Sequence, residues 1–286
     1  VTIAKVDGWV RSILITGVSS GIGLATARHF LDLGWRVIGT VRSAEDAVTL
    51  EQVGEGRFSA AILDLHDSKA IERLAHQVSA LLRGAPLDVL CNNAGTSVPA
   101  ATAYQSVDGF SSAVELNLIA PFAVTRALYP VLAKPGGRIV FIGSLAGSHP
   151  LPFCAAYSAA KHGIEALAGS LRVELAPYGI ETIVIAPGSV RTAIGDKIGS
   201  STQLEGLDSE FAPAFARMAV HMGQESAHAL PPEAIARLVE IAATAKSPKG
   251  RYVATPGYWQ NWLLPRLMGQ AWRDRQWLKR LEIQLM

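Results

Sequence analysis

Only two cysteines occur in the 286 residues, Cys91 and Cys154, with no Cys-x-x-Cys and no histidines spaced as partners. That leaves nothing to build a disulfide framework or a zinc site, so both read as buried thiols and no metal is expected. Charge of one sign is also lacking: 26 basic against 24 acidic residues give a net charge of +2, without the basic stripe that a nucleic-acid partner requires. No apolar run approaches the roughly 20 residues that span a bilayer. Val1 to Arg11 has no continuous apolar stretch of the secretory kind, so no transmembrane segment and a cytoplasmic location are expected. Charged residues are few, 17% against 49% hydrophobic, which suits a buried core and argues against disorder.

What is present is alternation. Short β-branched runs recur at Ile13–Ile15, Val37–Gly39, Ala60–Leu63, Val89–Cys91, Ile139–Ile142 and Thr182–Ile185. Between them lie amphipathic stretches at about Ile22–Leu33, Ser68–Leu82, Ser111–Leu132 and Tyr157–Tyr178. Strands that are apolar throughout are buried on both faces, and strand–helix alternation with right-handed crossovers gives a doubly wound parallel sheet. The expected fold is α/β, a Rossmann-type sheet with helices on both faces, whose ligands sit at the carboxyl ends of the strands. No internal repeat or low-complexity linker divides the chain, so residues 1–286 read as one domain. Residues 1–190 are expected to bind cofactor and carry the chemistry. The polar, small-residue stretch 191–230 reads as a substrate lid, and 231–286 as C-terminal helices with a last strand at Arg251–Val253.

The first strand runs straight into Thr16-Gly17-Val18-Ser19-Ser20-Gly21-Ile22-Gly23, and a helix begins at once. In that position Gly17 lets the chain turn, Gly21 lets the backbone approach a pyrophosphate and Gly23 allows close packing, while the helix start favours an anion. An NAD site wants a carboxylate about 20 residues further on. The second strand instead ends Thr40-Val41-Arg42-Ser43. A guanidinium can pair with a 2′-phosphate, so Arg42, with Ser20 and Ser43 as helpers, argues for NADP(H) ahead of NAD(H).

After the fifth strand comes Ser144, and thirteen residues later Tyr157-Ser158-Ala159-Ala160-Lys161. A four-residue spacing puts Tyr157 and Lys161 on one helix face. A free Tyr has a pKa of about 10, and a neighbouring cation favours the phenolate, so Lys161 is expected to make Tyr157 a usable acid/base near neutrality. Ser144 would hydrogen-bond the same substrate oxygen.

Taken together, these motifs resemble the classical short-chain dehydrogenase/reductase family. In that family the Ser, the Tyr-x-x-x-Lys pair and a helix Asn form a catalytic tetrad; Asn117 in Glu115-Leu116-Asn117-Leu118 matches the Asn, whose role is to hold a water linking the lysine to a proton relay. The resemblance also implies that Asn93, Ala94 and Gly95 of Asn92-Asn93-Ala94-Gly95 steady the sheet and let the cofactor lie close. Asp64 and Leu65 match the adenine contact, and Pro187, Gly188, Val190 and Thr192 match the segment that binds the nicotinamide. The motifs span about Ile13 to Thr192 in order.

Leu145, His149, Leu151 and Phe153 precede Tyr157, and Phe211, Phe215, Met218 and Met222 fall in the lid, so a hydrophobic substrate is expected. Leu151-Pro152-Phe153, Thr40-Val41-Arg42 and His162–Leu167 are most similar to the 17β-hydroxysteroid and retinol dehydrogenase branch, which implies a steroid, a retinoid or a like secondary alcohol or ketone. The family also implies a homodimer or homotetramer. The C-terminal Trp259, Trp262, Trp272 and Trp277 have three readings: core packing, a subunit contact or peripheral contact with a membrane surface. Rival functions are a nucleotide-sensing regulator without chemistry, a reductase of smaller carbonyl or acyl substrates, and an epimerase or dehydratase of the extended family.

Overall fold

The β-branched runs pair side by side. In the computed structural model, which describes residues 5–6, 9–54, 56–192 and 209–283, seven strands make one sheet. They are β1 (Ser12–Ile15), β2 (Arg36–Val41), β3 (Phe58–Ile62), β4 (Val89–Asn92), β5 (Arg138–Ile142), β6 (Glu181–Pro187) and β7 (Arg251–Ala254). Their order is β3-β2-β1-β4-β5-β6-β7, every pair parallel, so the direction of winding reverses between β1 and β4. Ile13 stands opposite both Val37 and Val89 there, and Ile15 opposite Gly39 and Cys91. At such a switch the loops after two neighbouring strands diverge and leave a crevice at their carboxyl ends.

Each face of the sheet has its own apolar layer. On one, Ile13, Ile15 and Val37 pack with Phe30 of α1 (Gly21–Asp32) and with Ile235 and Val239 of the helix Pro232–Thr244. On the other, Leu14, Leu90 and Ile139 pack with Leu74 and Val78 of Ser68–Leu81, with Val124 and Leu128 of Ala120–Leu128, and with Ile164 of Ala155–Glu174. Two-sided burial of this kind is why the strand sequences read as continuous apolar runs.

Between β2 and β3 a six-residue helix, α2 (Val48–Val53), follows the turn Glu45–Ala47; it is too short to show an apolar period, and sequence reading passed over it. With α3 as Ser68–Leu81, the next helical run starts at Val107, not at about Ser111, because Ser106 caps it by accepting from the Gly109 amide at 3.1 Å. That run is α4 (Val107–Val114), a π-turn at Glu115–Ile119, and α5 (Ala120–Leu128). Among the described residues this one helix, Val107–Val131, is long and apolar enough to cross a membrane by length and composition, although no continuous apolar run suggested it. Here Val124 and Leu128 pack in the core, and Thr125 accepts a hydrogen bond from the Asn92 amide at 3.0 Å.

After α6 (Ala155–Glu174) and β6, part of the segment read as a lid, 193–208, lies outside the described residues. The rest is not a loose polar stretch: α7 (Ala212–Ala227) buries Ala214, Phe215 and Met218 along one side. The chain continues through α8 (Pro232–Thr244) and β7 into a π-turn at Trp259–Leu263, α9 (Leu264–Leu267) and α10 (Gln270–Arg280).

Candidate active site

The loop after β1 is held from both sides. The Gly17 amide donates to Thr40 Oγ1 at 3.0 Å, and Asn93 Nδ2 donates to the Thr16 and Gly17 carbonyls at 2.8 and 3.0 Å. Thr16 Oγ1 in turn accepts from the Asn93 and Ala94 amides. Asn93 therefore ties the loop after β1 to the loop after β4, across the switch in winding. A Cβ on Gly23 would run into the Gly17 carbonyl and lie 2.5 Å from Asn93 Nδ2, so only glycine lets α1 start this close to the turn.

Ser20, at the start of α1, makes no side-chain capping bond, and the first turn has no acidic residue. Ser19 and Ser20 are exposed, and Ile22 is part-buried. Gly21 sits at φ +57°, and a Cβ there would meet Thr192 at 3.1 Å. Beside them opens a cavity of about 520 Å³ lined by Gly21, Arg28, Arg191, Thr192 and Glu233 among others. A glycine cradle, uncapped amides and two guanidiniums fit a dinucleotide pyrophosphate. Arg28 and Arg191 were missed in sequence; Arg28 falls on the Gly21 side of α1, seven residues on, and that period was the available signal.

Arg42 is exposed just beyond β2 and has no ion-pair partner among the described residues. Ser43 is less free than its neighbour, because its hydroxyl accepts from the Asp46 amide at 3.4 Å. The backbone N–H of Glu45 and the Ser43 hydroxyl hold the Glu45 carboxyl below its usual range. Ser43 thus also serves the turn that follows. Asp64 is exposed and accepts from the His66 amide at 2.9 Å, with Leu65 half-buried next to it.

At the end of β5, Ser144 precedes the tight turn Leu145–Gly147 and accepts from the Ala146 amide at 3.1 Å. Ser144 lies beside Tyr157 of α6 and favours its ionised form. One turn along α6, Lys161 is buried; its Nζ donates to the Ile142 carbonyl at 2.8 Å and lies 5.6 Å from the Tyr157 ring centroid. Burial lowers the Lys161 amine to about 8. Burial also raises Tyr157, opposed by Ser144 and assisted by the Cys154 thiol. The phenol is thus favoured protonated, opposite to the expectation drawn from Lys161. The reason is burial of the phenol itself, which outweighs the effect of Ser144.

Asn117 sits in the π-turn and is fully buried. Its Nδ2 donates to the Thr96 and Ala113 carbonyls at 2.9 Å each, while Oδ1 is buried with no partner among the described residues. A Cβ on Gly95 would lie 2.6 Å from that Oδ1 and 3.7 Å from Lys161 Nζ. The missing methyl leaves room between a bare carbonyl and an amine, a gap with the polar lining that a water needs.

Beyond β6, the buried Pro187 ends the strand and the Gly188 amide donates to the Ala254 carbonyl at 2.7 Å. A Cβ on Gly188 would meet Leu145 at 3.3 Å, so this loop passes beside the residue that follows Ser144. Val190 bridges to Leu230.

The residues expected at the substrate divide. Leu145, Leu151, Phe153 and Phe211 are part-exposed, with the Phe153 ring 5.1 Å from Phe215 and 6.5 Å from Phe211. Phe215 and Met218 are buried, Met218 in a cluster with Leu281 and Trp277, and His149 packs its ring 5.3 Å from Trp262. Burial, then the Arg273 charge, lowers the His149 pKa. Met218 and His149 thus pack against the C-terminal segment, while Phe215 packs on Phe153. Also missed in sequence is Arg251, which donates to Glu165 Oε1 and Ser148 Oγ at 2.9 Å each.

The family model described as short chain dehydrogenase matches residues 11–203. The chain is 33% identical over 252 residues to the NADPH-dependent 3-dehydrocapnine reductase of Ornithobacterium rhinotracheale, covering 86% of this chain and 89% of that protein. It is 31% identical over 207 residues to mouse (Mus musculus) retinol dehydrogenase 5, covering 72% of this chain and 63% of the other. Among solved structures, an actinorhodin polyketide ketoreductase variant with NADPH superposes with a TM-score of 0.72 at 28% identity, covering 88% of this chain and 98% of that one.

Proposed function

The chain belongs to the short-chain dehydrogenase family and is an NAD(P)-dependent oxidoreductase, and from that footing we propose that it reduces a hydrophobic ketone to a secondary alcohol with NADPH. The observation that carries this reading is the grouping of Ser144 beside Tyr157 with the buried Lys161 one turn away, its Nζ 5.6 Å from the Tyr157 ring centroid. NADPH, when bound, supplies the hydride; the chain supplies position and a proton. Gly17, Gly21, Gly23 and the first turn of α1 receive the pyrophosphate, with Arg28 and Arg191 beside it, while Asn93, Ala94 and Gly95 hold the facing loop. Arg42 pairs with the 2′-phosphate and Ser20 lies near it, Asp64 and Leu65 border the adenine, and Pro187, Gly188, Val190 and Thr192 border the nicotinamide.

Tyr157, protonated near neutral pH, donates to the carbonyl oxygen as negative charge develops there, and Ser144 hydrogen-bonds the same oxygen. The phenolate left behind is stabilised by Lys161, whose amine can pass on a proton through the gap bounded by Gly95 and Asn117 Oδ1. A phenol held protonated is the form a reductase needs. The part-exposed Leu145, Leu151, Phe153 and Phe211 supply the apolar wall, in keeping with relatives named for 3-dehydrocapnine, retinol and a polyketide.

The test is oxidation of NADPH and NADH measured against long-chain, steroidal and small polar ketones. Turnover with NADPH and the apolar ketones is expected to lead. Equal or better turnover of the small polar ketones would remove the substrate assignment, and NADH ahead of NADPH would remove the cofactor assignment.

A further inference from the structure

The C-terminal segment leaves an apolar row uncovered. Trp259 is 72% exposed, Leu264 44% and Leu267 73%. In an unbroken α-helix Trp259 and Leu264, five residues apart, would diverge. Here the Leu264 amide bonds to the Trp259 carbonyl, so the π-turn brings both onto one side, with Leu267 three residues beyond. The opposite side is committed: Trp262 is buried, with the Arg251 guanidinium 4.2 Å and the His149 ring 5.3 Å away. The row therefore cannot turn inward without dismantling that stack.

The charge of the same segment is one-sided. Between Tyr258 and Ile283 lie Arg266, Arg273, Arg275, Lys279 and Arg280 against Asp274 and Glu282, a larger excess than the +2 of the whole chain. Glu282 is paired with Arg217 at 2.8 Å, and Arg273 is spent on the Pro265 and Met268 carbonyls. Arg275 and Lys279, four apart on α10, remain exposed, as do Arg266 and Arg280.

We propose that Trp259, Leu264 and Leu267 dock on an anionic lipid surface, to which the cationic excess of this segment, with the exposed Arg275 and Lys279, draws it. An exposed Trp and leucines bury apolar area at a headgroup boundary, and each Lys or Arg near an anionic leaflet adds electrostatic attraction. A second copy fits less well, because a twofold contact would bring together two segments of the same cationic excess. The inner side of the docked helix packs on His149, five residues past Ser144. On the reading of the site given above, docking thus brings a lipid-dissolved ketone beside the reacting centre.

The experiment is co-sedimentation of the full chain with vesicles of equal parts phosphatidylglycerol and phosphatidylcholine, and with phosphatidylcholine alone. The protein is expected to pellet with the anionic vesicles, less so in high salt. The pair Trp259→Ser/Leu267→Ser should weaken partition by about tenfold or more. Arg275→Glu/Lys279→Glu should abolish the preference for anionic lipid. Turnover of a water-soluble ketone without vesicles reads the reacting centre separately and should be unchanged in both. Wild-type protein left in the supernatant with anionic vesicles, or partition untouched by either pair, overturns the proposal. So does a dimer in sedimentation velocity that the first pair converts to monomer, which would make a second copy the occupant.

Discussion

Arg251 Nε lies 2.9 Å from Glu165 Oε1, so the first residue of β7 is tied to the helix that carries Tyr157 and Lys161. The same guanidinium donates from Nη2 to Ser148 Oγ at 2.9 Å and lies 4.2 Å from the Trp262 ring. It thereby joins α6, the Ser144 turn and the C-terminal segment. Arg251→Met leaves a part-buried carboxylate without its partner and is expected to cost about 2 kcal/mol in urea denaturation. Its kcat should fall more than its KM for NADPH changes, because Ser144 and Tyr157 lose alignment while the pyrophosphate end is untouched. Glu165→Gln, which keeps an acceptor oxygen, should recover most of both.

Lys161 gives a pH signature with a definite sign. Its folded pKa, about 8, lies below the ordinary 10.5. Between those values the unfolded chain holds more protons, so stability rises with pH and falls as pH drops through 8. The slope is at most about 1.4 kcal/mol per pH unit. Cys91, raised to about 12, and Cys154, raised to about 11, act oppositely above pH 9. They are common to wild type and Lys161→Met, so denaturation of the two between pH 7 and about 10 isolates the lysine. Parallel pH profiles would contradict its burial as an amine.

Arg42 is expected to distinguish the two nucleotides. Charge-assisted bonds to a phosphate contribute roughly 1.5–3 kcal/mol, so Arg42→Ala should raise KM for NADPH by ten- to hundredfold and leave NADH nearly unchanged. The ratio of the two KM values is the measurement.

Gly95 and Asn117 should behave as one unit. The Cβ of Gly95→Ala would lie 2.6 Å from Asn117 Oδ1 and close the gap toward Lys161. A fall in kcat of about tenfold or more is expected from it and from Asn117→Ala, with the double variant no worse than the poorer single one. Additive losses would mean that the two act separately.

Much of this molecule was legible in its chain because period and burial coincide. Ile13–Ile15 and Ile139–Ile142 are apolar at every position since both faces of the sheet are covered, and Tyr157 and Lys161 share a helix face by spacing alone. Features that depend on contacts between distant segments were not legible. Nothing around Arg251 announces Glu165, which is 86 residues away. Asn117 sits in a π-turn whose backbone bonding leaves no mark in apolar spacing. Nor does the spacing of His149 and Met218 announce that Trp262 and the Leu281–Trp277 pair lie against them. The direction of the Tyr157 shift was missed because spacing reports that a lysine is near, not that the phenol is buried.

The most direct test of the central claim is Tyr157→Phe, assayed with NADPH and an apolar ketone alongside NADPH binding followed by nicotinamide fluorescence. Removing the proton donor and keeping the ring should lower kcat by about a hundredfold or more and leave the dissociation constant for NADPH within a few-fold. Turnover close to that of wild type, with binding intact, would show that the proton comes from elsewhere and would contradict the role given to Tyr157.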